Sequence, residues 1–327
     1  MNLTNSCVHM RRLFVIILLA TIGCSPSDIN KNQETGQLHV VFVIGDEEYR
    51  SEESMPMLAK IVKRELGAKV TLCYSLDSMG FIDPNRLNHI EGLEALKTAD
   101  LMVMFTRFRA LPSNELSYIT SYAESGRPMV GFRTSTHAFL YEDDSTMHNM
   151  NDSWPTKVFG QQWITHHGHF DDGANPLTAV SLMDRKQHPI LRGLEAFEAY
   201  SWLYHVDGGE WKLHGDSNPL LFGRSLKSGH EMKGNLDKYP LLNPVAWTKT
   251  YTGKSNKTAK VFFTTLGHPF DWKNENMRRL AMNGIYWVLD LKVPEKANVG
   301  FVDKYEPNNS GFGKKYKQGM RPEVMDD

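Results

Sequence analysis

Apolar runs separated by amphipathic stretches dominate the chain from residue 38 onward. Leu38–Gly45 is almost continuously apolar and ends in glycine, the pattern of a parallel strand that is buried on both faces. A helical stretch follows it, and Gly67 is the predicted helix stop. Strands that alternate with helices predict right-handed βαβ units and one parallel sheet. The other predicted elements of this first half are strands over residues 69–75, 101–105 and 128–132, and helices over 92–96 and 112–126, with Ser113 as the N-cap of the latter.

The second half of the chain is less regular. Dense loop signals interrupt residues 140–240, so its short strands predict a sheet extension or an antiparallel flap. A long amphipathic helix is predicted over Asn274–Leu289, and the segment from Pro294 onward is expected to be surface loop. We therefore predict an α/β fold, a parallel sheet with an antiparallel extension. The short strands of this half are predicted over residues 177–182, 220–222, 243–248 and 260–265.

The N-terminus has the pattern of a secretory signal. Arg11-Arg12 precede an apolar run from Leu13 to Ala20, which is shorter than the roughly 20 residues of a membrane-spanning helix. Gly23-Cys24 resembles a bacterial lipobox, in which Cys24 would be diacylated and become the first residue. Cleavage nearby without lipidation is the alternative, because Thr21 fits the lipobox poorly. We expect a lipoprotein-type signal peptide over residues 1–23, a flexible tether over 24–37, the α/β domain over 38–315 and a C-terminal tail over 316–327.

Cysteine content and charge narrow the class of protein. The three cysteines are Cys7, Cys24 and Cys73, so a chain lipidated at Cys24 keeps one thiol and forms no intramolecular disulfide. Cys73 falls inside a predicted strand, where a buried and inert thiol is expected. The formal net charge of -1 provides no basic field for nucleic acid. We expect an exported protein of the bacterial cell envelope, lipid-anchored at the periplasmic side or the outer membrane, with self-association into a homo-oligomer left open.

The loops beyond the strand ends are the candidate site. Ligands of open parallel sheets bind beyond the carboxyl ends of the strands, here Asp46–Arg50, Thr106–Arg109 and Arg133–His137. The arginines of these loops suit an anionic or hydroxyl-rich ligand, and pairing with the acidic residues of the first loop is their structural alternative. Arg133 directly follows the fourth strand, so the Gly-x-Ser-x-Gly elbow of a serine hydrolase is absent.

Histidines supply the candidate chemistry. The densest cluster is His166-His167-Gly168-His169, and imidazole is both the commonest metal ligand and the usual acid or base near neutral pH. On a strand, His167 and His169 share one face while His166 points to the other. We therefore consider His167 and His169 as ligands of a divalent transition metal, although no His-Glu-x-x-His spacing supports this hypothesis. Solvated imidazoles in a polar loop are the alternative.

A last polar cluster follows the predicted strand over residues 260–265. His268 comes after Gly267, which allows close approach, and Trp272 offers a stacking face for a sugar ring. The alternative is a structural cap for the following helix, in which Asp271 binds backbone amides.

Seven motifs in order resemble the ThuA-like (trehalose-utilisation) family, which has the class I glutamine-amidotransferase-like fold. The resemblance implies a flavodoxin-like parallel sheet with helices on both faces and a role in sugar catabolism, where family members are associated with oxidised disaccharides such as 3-keto-trehalose. A thiol amidotransferase of this fold needs cysteine at the elbow, where this chain has Arg133, so that activity is excluded on chemical grounds. The resemblance covers residues 40–315 and rests on Gly45–Pro56, Phe105–Pro112, Gly131–Phe139, His166–His169, His188–Gly193, Pro244–Lys249 and Thr264–His268.

The resulting hypothesis is an enzyme that processes a keto-sugar or glycoside, with a membrane anchor and a small sugar as partners and no nucleic acid. A histidine of the 166–169 cluster would act as base or metal ligand, and His268 would assist as acid. A non-catalytic sugar-binding lipoprotein and a metal-dependent hydrolase of another small substrate are the alternatives. The catalytic candidates are His137, His166, His167, His169 and His268. The substrate-binding candidates are Glu48, Tyr49, Arg107, Arg133 and Trp272.

Overall fold

The computed structural model describes residues 36–168, 170, 172–182, 188–206 and 213–325. The chain divides into Met1–Gly36 and one compact unit, Gln37–Asp327, which carries the fold. The predicted signal peptide, Cys24 and most of the predicted tether lie outside the described residues. Within the described part of the chain, no helix is long and apolar enough to cross a membrane.

Strands of one large sheet and one small sheet form the framework of the unit. Their bounds are β1 (His39–Gly45), β2 (Lys69–Tyr74), β3 (Leu101–Thr106), β4 (Met129–Phe132), β5 (Thr165–His166), β6 (Thr178–Leu182), β7 (Phe197–Ala199), β8 (Tyr204–His205), β9 (Asn218–Ser225), β10 (Leu242–Thr252) and β11 (Thr258–Thr264). The large sheet has the order β2-β1-β3-β4-β11-β10-β9-β6-β7. The strands β5 and β8 pair antiparallel as the small sheet.

The large sheet has a parallel core and an antiparallel extension. β2, β1, β3, β4 and β11 run parallel to one another, in the order of flavodoxin-like folds. β10, β9, β6 and β7 extend this core in antiparallel pairs. Every residue of β1 and β3 is buried, because helices cover both faces of these strands. The predicted α/β fold with a parallel core and an antiparallel extension is confirmed.

The large sheet divides the apolar core into two layers. Alternate residues of β1 enter the two layers, because successive side chains of a strand point to opposite faces. The first layer holds α1 and α5, and the second holds α2 and α3. The predicted N-cap Ser113 is wrong, because Ser113 is the first helical residue and Pro112 precedes it as a cap without a side-chain hydrogen bond. The helices are α1 (Ser51–Leu66), α2 (Ser113–Glu124), α3 (Ser153–Phe159), α4 (Gly229–Met232) and α5 (Glu275–Val288).

The end of the chain crosses the domain as a C-terminal strap, which we define as residues 301–325. The backbone N–H of Ile82 donates to the carbonyl of Met320 at 2.8 Å. Glu53 of α1 accepts from the backbone N–H of Asn308 at 3.1 Å and pairs with Lys317 at 2.6 Å. Asn308 lies before the predicted domain boundary at residue 315, Lys317 and Met320 lie after it, and all three bind the domain. The strap between them reaches the carboxyl edge of the sheet.

Candidate active site

Three loops meet beyond the carboxyl ends of β1, β3 and β4. Each loop holds one non-glycine residue in the left-handed region, namely Arg50 (φ 54°), Phe108 (φ 48°) and Arg133 (φ 42°). Such conformations cost of order 1–3 kcal/mol each and persist where the surrounding structure fixes them. The backbone N–H of Phe108 donates to the carbonyl of His137 at 3.0 Å, which ties the second loop to the third. The predicted rim segments therefore form one continuous surface.

Asp46 organises the first loop. Its Oδ1 accepts from the backbone N–H groups of Glu48 at 2.7 Å and Tyr49 at 2.5 Å. Its Oδ2 accepts from the hydroxyl of Thr134, which belongs to the loop after β4. Charge-assisted hydrogen bonds of this kind offset the cost of burying a carboxylate, and Asp46 is fully buried. Asp46 thus fixes the backbone that carries Glu48 and Tyr49.

Glu47 bridges two of the arginines. One carboxylate oxygen accepts from Arg107 and the other accepts from Nη2 of Arg109 at 2.5 Å. Arg109 is fully buried and also donates to the carbonyl of Pro84 at 3.0 Å. Burial, with a contribution from Asp46, raises the pKa of Glu47 despite the two arginines. The structural pairing considered for the rim arginines is present, and it engages both oxygens of Glu47.

Glu48 has an environment suited to proton transfer. Its Oε2 lies 3.1 Å from Nε of Arg107, and about 10% of its side chain is exposed. Burial raises the pKa of Glu48 to about 7, against the opposing charge of Arg107. An acid or base works best when its pKa lies near the operating pH. Glu48, predicted as a substrate-binding residue, is therefore also an acid–base candidate.

Arg133 occupies the elbow directly after β4. Its fully buried guanidinium carbon lies 3.9 Å from the ring centre of Tyr49 and 4.5 Å from that of Tyr204. Nη1 donates to the carbonyls of Thr265 at 2.9 Å and Trp202 at 3.4 Å, and a side-chain hydrogen bond with Tyr49 further stabilises the charge. Burial disfavours the charge, but Tyr204, Tyr49 and Asp271 outweigh it and raise the pKa of Arg133. The elbow therefore presents a fixed cation.

His137, at the end of the same loop, is a neutral proton acceptor. The hydroxyl of Thr136 donates to the carbonyl of Arg133 at 3.2 Å, so the same oxygen accepts from Nδ1 of His137 at 3.1 Å. The lone pair of this imidazole consequently lies on Nε2. Burial, together with the charges of Arg107 and Arg133, holds the pKa of His137 well below its usual value.

His166 shares an aromatic wall with His137. The ring of Trp163 lies 5.4 Å from His137 and 6.0 Å from His166, and Tyr204 lies 6.0 Å and 6.5 Å from the same two rings. Trp202 lies 4.9 Å from His166. Since His166 and Trp163 are half-buried, this wall reaches the surface, and Tyr204 within it interacts electrostatically with Glu48. The structure thus brings two of the predicted histidines to one opening.

His268 is fully buried behind Tyr49, with ring centres 6.3 Å apart. Its Nδ1 accepts from the backbone N–H of Phe270 at 3.1 Å, which assigns the proton to Nε2, 3.4 Å from Oδ1 of Asp172. The hydroxyl of Ser310 donates to the other oxygen of Asp172. Burial alone would raise the pKa of Asp172, but His268 and Ser310 hold it below its usual value. His268 is therefore a member of a buried pair and not a group at the opening.

His167 has different neighbours from His166, as alternation along a strand predicts. Oγ of Ser228 accepts from the backbone N–H groups of His230 at 3.1 Å and Glu231 at 3.2 Å, so its hydroxyl donates to Nδ1 of His167 at 2.7 Å. The rings of His167 and His230 are 5.1 Å apart. Burial, with His230 and His205 nearby, lowers the pKa of His167 to about 4. His167 is thus a neutral ring in a second histidine cluster.

The predicted metal pair involves a residue that the structure does not describe. His169 lies outside the described residues, so its roles as catalytic residue and as metal ligand stay predictions. In the part of the chain that is described, no group of three or more His, Cys, Asp and Glu residues is arranged to hold a metal ion. His167 would have only Nε2 to offer a metal, since Ser228 binds its Nδ1.

The stacking role predicted for Trp272 needs correction. Trp272 is fully buried, and its ring packs 5.2 Å from Phe132 in the core, so neither of its faces can meet a sugar. Asp271 holds this loop inward by binding backbone amides, as the alternative interpretation predicted. It does not cap the following helix, whose N-cap is Asn274. Asp271 accepts hydrogen bonds from the backbone N–H groups of Tyr200, Ser201, Gly267 and His268 and from the hydroxyl of Ser201.

The thiol of Cys73 is inert, as predicted. It is buried in β2 and donates to the carbonyl of Gly92 at 3.2 Å, and burial raises its pKa. Reactive cysteines require the opposite, a lowered pKa and access to solvent. Cys73 is also remote from the elbow of Arg133 in the sheet order, because β2 is an edge strand.

Several residues of the site were missed from the sequence. Tyr204 supplies the second ring over Arg133, Asp172 pairs with His268, and Ser310 and Phe312 come from the C-terminal strap. All four lie in loops or very short strands, where apolar periodicity carries no signal. The Asp- and Asn-rich composition of these loops indicated turns and not contacts.

Fold and site together define an α/β protein with a parallel core sheet, whose elbow after β4 carries a buried arginine. The family model described as ThuA, trehalose utilisation, matches residues 39–288, and the chain belongs to this family. A ThuA-like protein of Bacteroides uniformis has a similar fold, with a TM-score of 0.50 and 16% identity over 81% of this chain and 95% of that one. For a ThuA-like protein of Parabacteroides merdae the values are 0.47 and 15% over 87% and 100%. A comparison with curated proteins finds no match.

We predict that Glu48 makes the free energy of unfolding depend on pH. Its pKa rises from about 4.3 in the unfolded chain to about 7 in the fold. The protonated carboxyl therefore contributes its full stabilisation of the fold below about pH 4.3, and this contribution is lost as the pH rises through about 7. At about 1.4 kcal/mol per pKa unit, Glu48→Gln should reduce the fall in stability between about pH 5 and pH 8 by about 2 kcal/mol. Urea unfolding across this range measures the effect. The exposed Glu198→Gln serves as control, and a wild-type slope in Glu48→Gln would contradict the prediction.

Proposed function

We propose that the chain is an enzyme of carbohydrate metabolism that moves protons on a keto-sugar or glycoside of the 3-keto-disaccharide type. One observation carries this proposal. Glu48, with a pKa of about 7, lies on the same edge of the sheet as the fixed cation of Arg133. Removal of a proton next to a carbonyl needs both a base and a charge that stabilises the oxyanion. Membership of the trehalose-utilisation family supports a carbohydrate as the substrate.

In the proposed reaction, ionised Glu48 removes the proton from the carbon next to the sugar carbonyl. The electron pair of the broken C–H bond moves into an enediolate. The cation of Arg133 stabilises the negative charge of this intermediate without direct contact, because the guanidinium is fully buried. Because the pKa of Glu48 is near neutral, the same carboxyl can return the proton in the following step.

The neighbouring histidines take supporting roles in this proposal. His137 accepts a hydrogen bond from a sugar hydroxyl through the lone pair on Nε2. His166, beside Trp163 and Trp202, borders the opening at which a sugar ring would enter. His268 holds Asp172 behind Tyr49 and is a positioning residue, in place of the acid role first considered for it.

Turnover of 3-keto-trehalose by the full chain tests the proposal. Glu48→Gln keeps the shape of the side chain but removes its proton chemistry, so kcat should fall by about 10²- to 10⁴-fold. Glu198→Gln, an exposed substitution on β7, should leave kcat unchanged. Undiminished turnover in Glu48→Gln would overturn the assignment of the base. Saturable binding by the wild type without any product would favour the non-catalytic sugar-binding alternative.

We also propose that the protein is exported and held at the membrane through a lipid on Cys24. The lipobox-like Gly23-Cys24 that follows the apolar run supports this proposal. Metabolic labelling with an alkyne fatty acid in a bacterial host should label the full chain and the Cys73→Ser variant, whose thiol is buried. Cys24→Ser should lose both the label and sedimentation with membranes. Label retained in Cys24→Ser would contradict the anchor.

A further inference from the structure

The C-terminal strap brings an exposed aromatic ring to the opening of the site. Phe312 is 54% exposed, and its ring centre lies 5.0 Å from the guanidinium carbon of Arg107. The same carbon lies 4.2 Å from the ring of Phe108. Since Arg107 pairs with Glu48, the ring of Phe312 is one side chain away from the acid–base candidate.

Two backbone hydrogen bonds of Gly311 fix the chain next to Phe312. The N–H of Gly311 donates to the carbonyl of Glu48 at 2.8 Å, and its carbonyl accepts from Nη2 of Arg50, also at 2.8 Å. Gly311 has φ 128°, a conformation that favours glycine. Ser310 is buried and donates to Asp172. The exposed ring of Phe312 is therefore carried by a fixed backbone segment and not by a free tail.

The ring lies beyond the residues that the family model matches. The family model ends at residue 288, whereas the strap comprises residues 301–325. Gly311 binds Glu48 and Arg50 of the first loop, and Ser310 binds Asp172, the partner of His268. The strap therefore completes the wall of the site. An exposed aromatic face beside arginine donors is the combination that packs on the C–H face of a pyranose while binding its hydroxyls.

We infer that Phe312 forms a second sugar subsite, which stacks on the outer ring of a disaccharide while the inner ring lies at Glu48 and Arg133. This inference rests on the proposed function and assigns recognition of the second ring of its disaccharide substrate to a residue of the strap. Arg107, whose side chain is 15% exposed, would donate to hydroxyls of the outer ring from below. A monosaccharide would fill only the inner position and would gain nothing from Phe312.

Calorimetric titration of the full chain with trehalose and with glucose tests the subsite. Phe312→Ala should weaken the binding of trehalose roughly tenfold, as loss of an aromatic stacking contact does, and leave glucose unaffected. Phe312→Tyr keeps the ring and should bind trehalose like the wild type. Phe301→Ala provides the matched control, because Phe301 is an exposed strap residue whose ring contacts Arg278 and Tyr305 away from the opening.

The outcomes separate the subsite from the proposed function. Unchanged binding in Phe312→Ala, or equal loss for both sugars, overturns the subsite and leaves the site at Glu48 intact. If the wild type binds neither sugar, and Glu48→Gln lowers the turnover of 3-keto-trehalose, the subsite is overturned and the proposed function stands. If the wild type neither binds these sugars nor turns over the keto-disaccharide, both are overturned.

Discussion

The guanidinium of Arg133, buried between the rings of Tyr49 and Tyr204, is the interaction on which the rest of the site depends. Taking a cation out of water costs several kcal/mol, and a left-handed backbone adds of order 1–3 kcal/mol. Two desolvated cation–π contacts return about 2 kcal/mol each, and the carbonyl of Thr265 accepts one hydrogen bond. Tyr204, Tyr49 and Asp271 thus outweigh the cost of burial, and the elbow keeps a permanent positive charge close to the loop of Glu48.

The protonation states around this charge follow from it. Arg133 and Arg107 favour the neutral form of His137, and both oppose the rise that burial imposes on the pKa of Glu48. One neutral acceptor and one carboxyl of near-neutral pKa consequently lie on the same edge of the sheet. Asp46 holds the loop of Glu48 against the elbow through Thr134, so the acid–base group and the cation are positioned by one hydrogen-bonded unit.

The predictions from sequence succeeded where local pattern decides the structure. Continuous apolar runs identified β1, β3 and β4, and the rule on carboxyl ends placed their loops at one surface. The pattern could not reveal Tyr204 or Asp172, because their contacts with Arg133 and His268 arise from tertiary packing of irregular segments. The stacking role predicted for Trp272 was wrong because the sequence pattern of an aromatic residue after a strand is the same whether its loop turns inward or outward.

The strap shows the same division between local and tertiary information. Residues 301–325 have the composition of a surface loop, and much of the segment is exposed. Only the folded chain reveals that Gly311 contacts the loop of Glu48 and that Ser310 reaches Asp172. A segment that appeared irrelevant to chemistry thereby forms one wall of the site.

A crystal structure of the full chain with trehalose tests the central claim most directly, because it locates the sugar relative to Arg133. The account predicts a sugar ring against the carboxylate of Glu48, on the same edge of the sheet as Arg133, with a sugar oxygen about 2.7–3.2 Å from Glu48 or Arg107. A sugar bound at the cluster of His167 and His230, or anywhere that leaves Glu48 without contact, would contradict it.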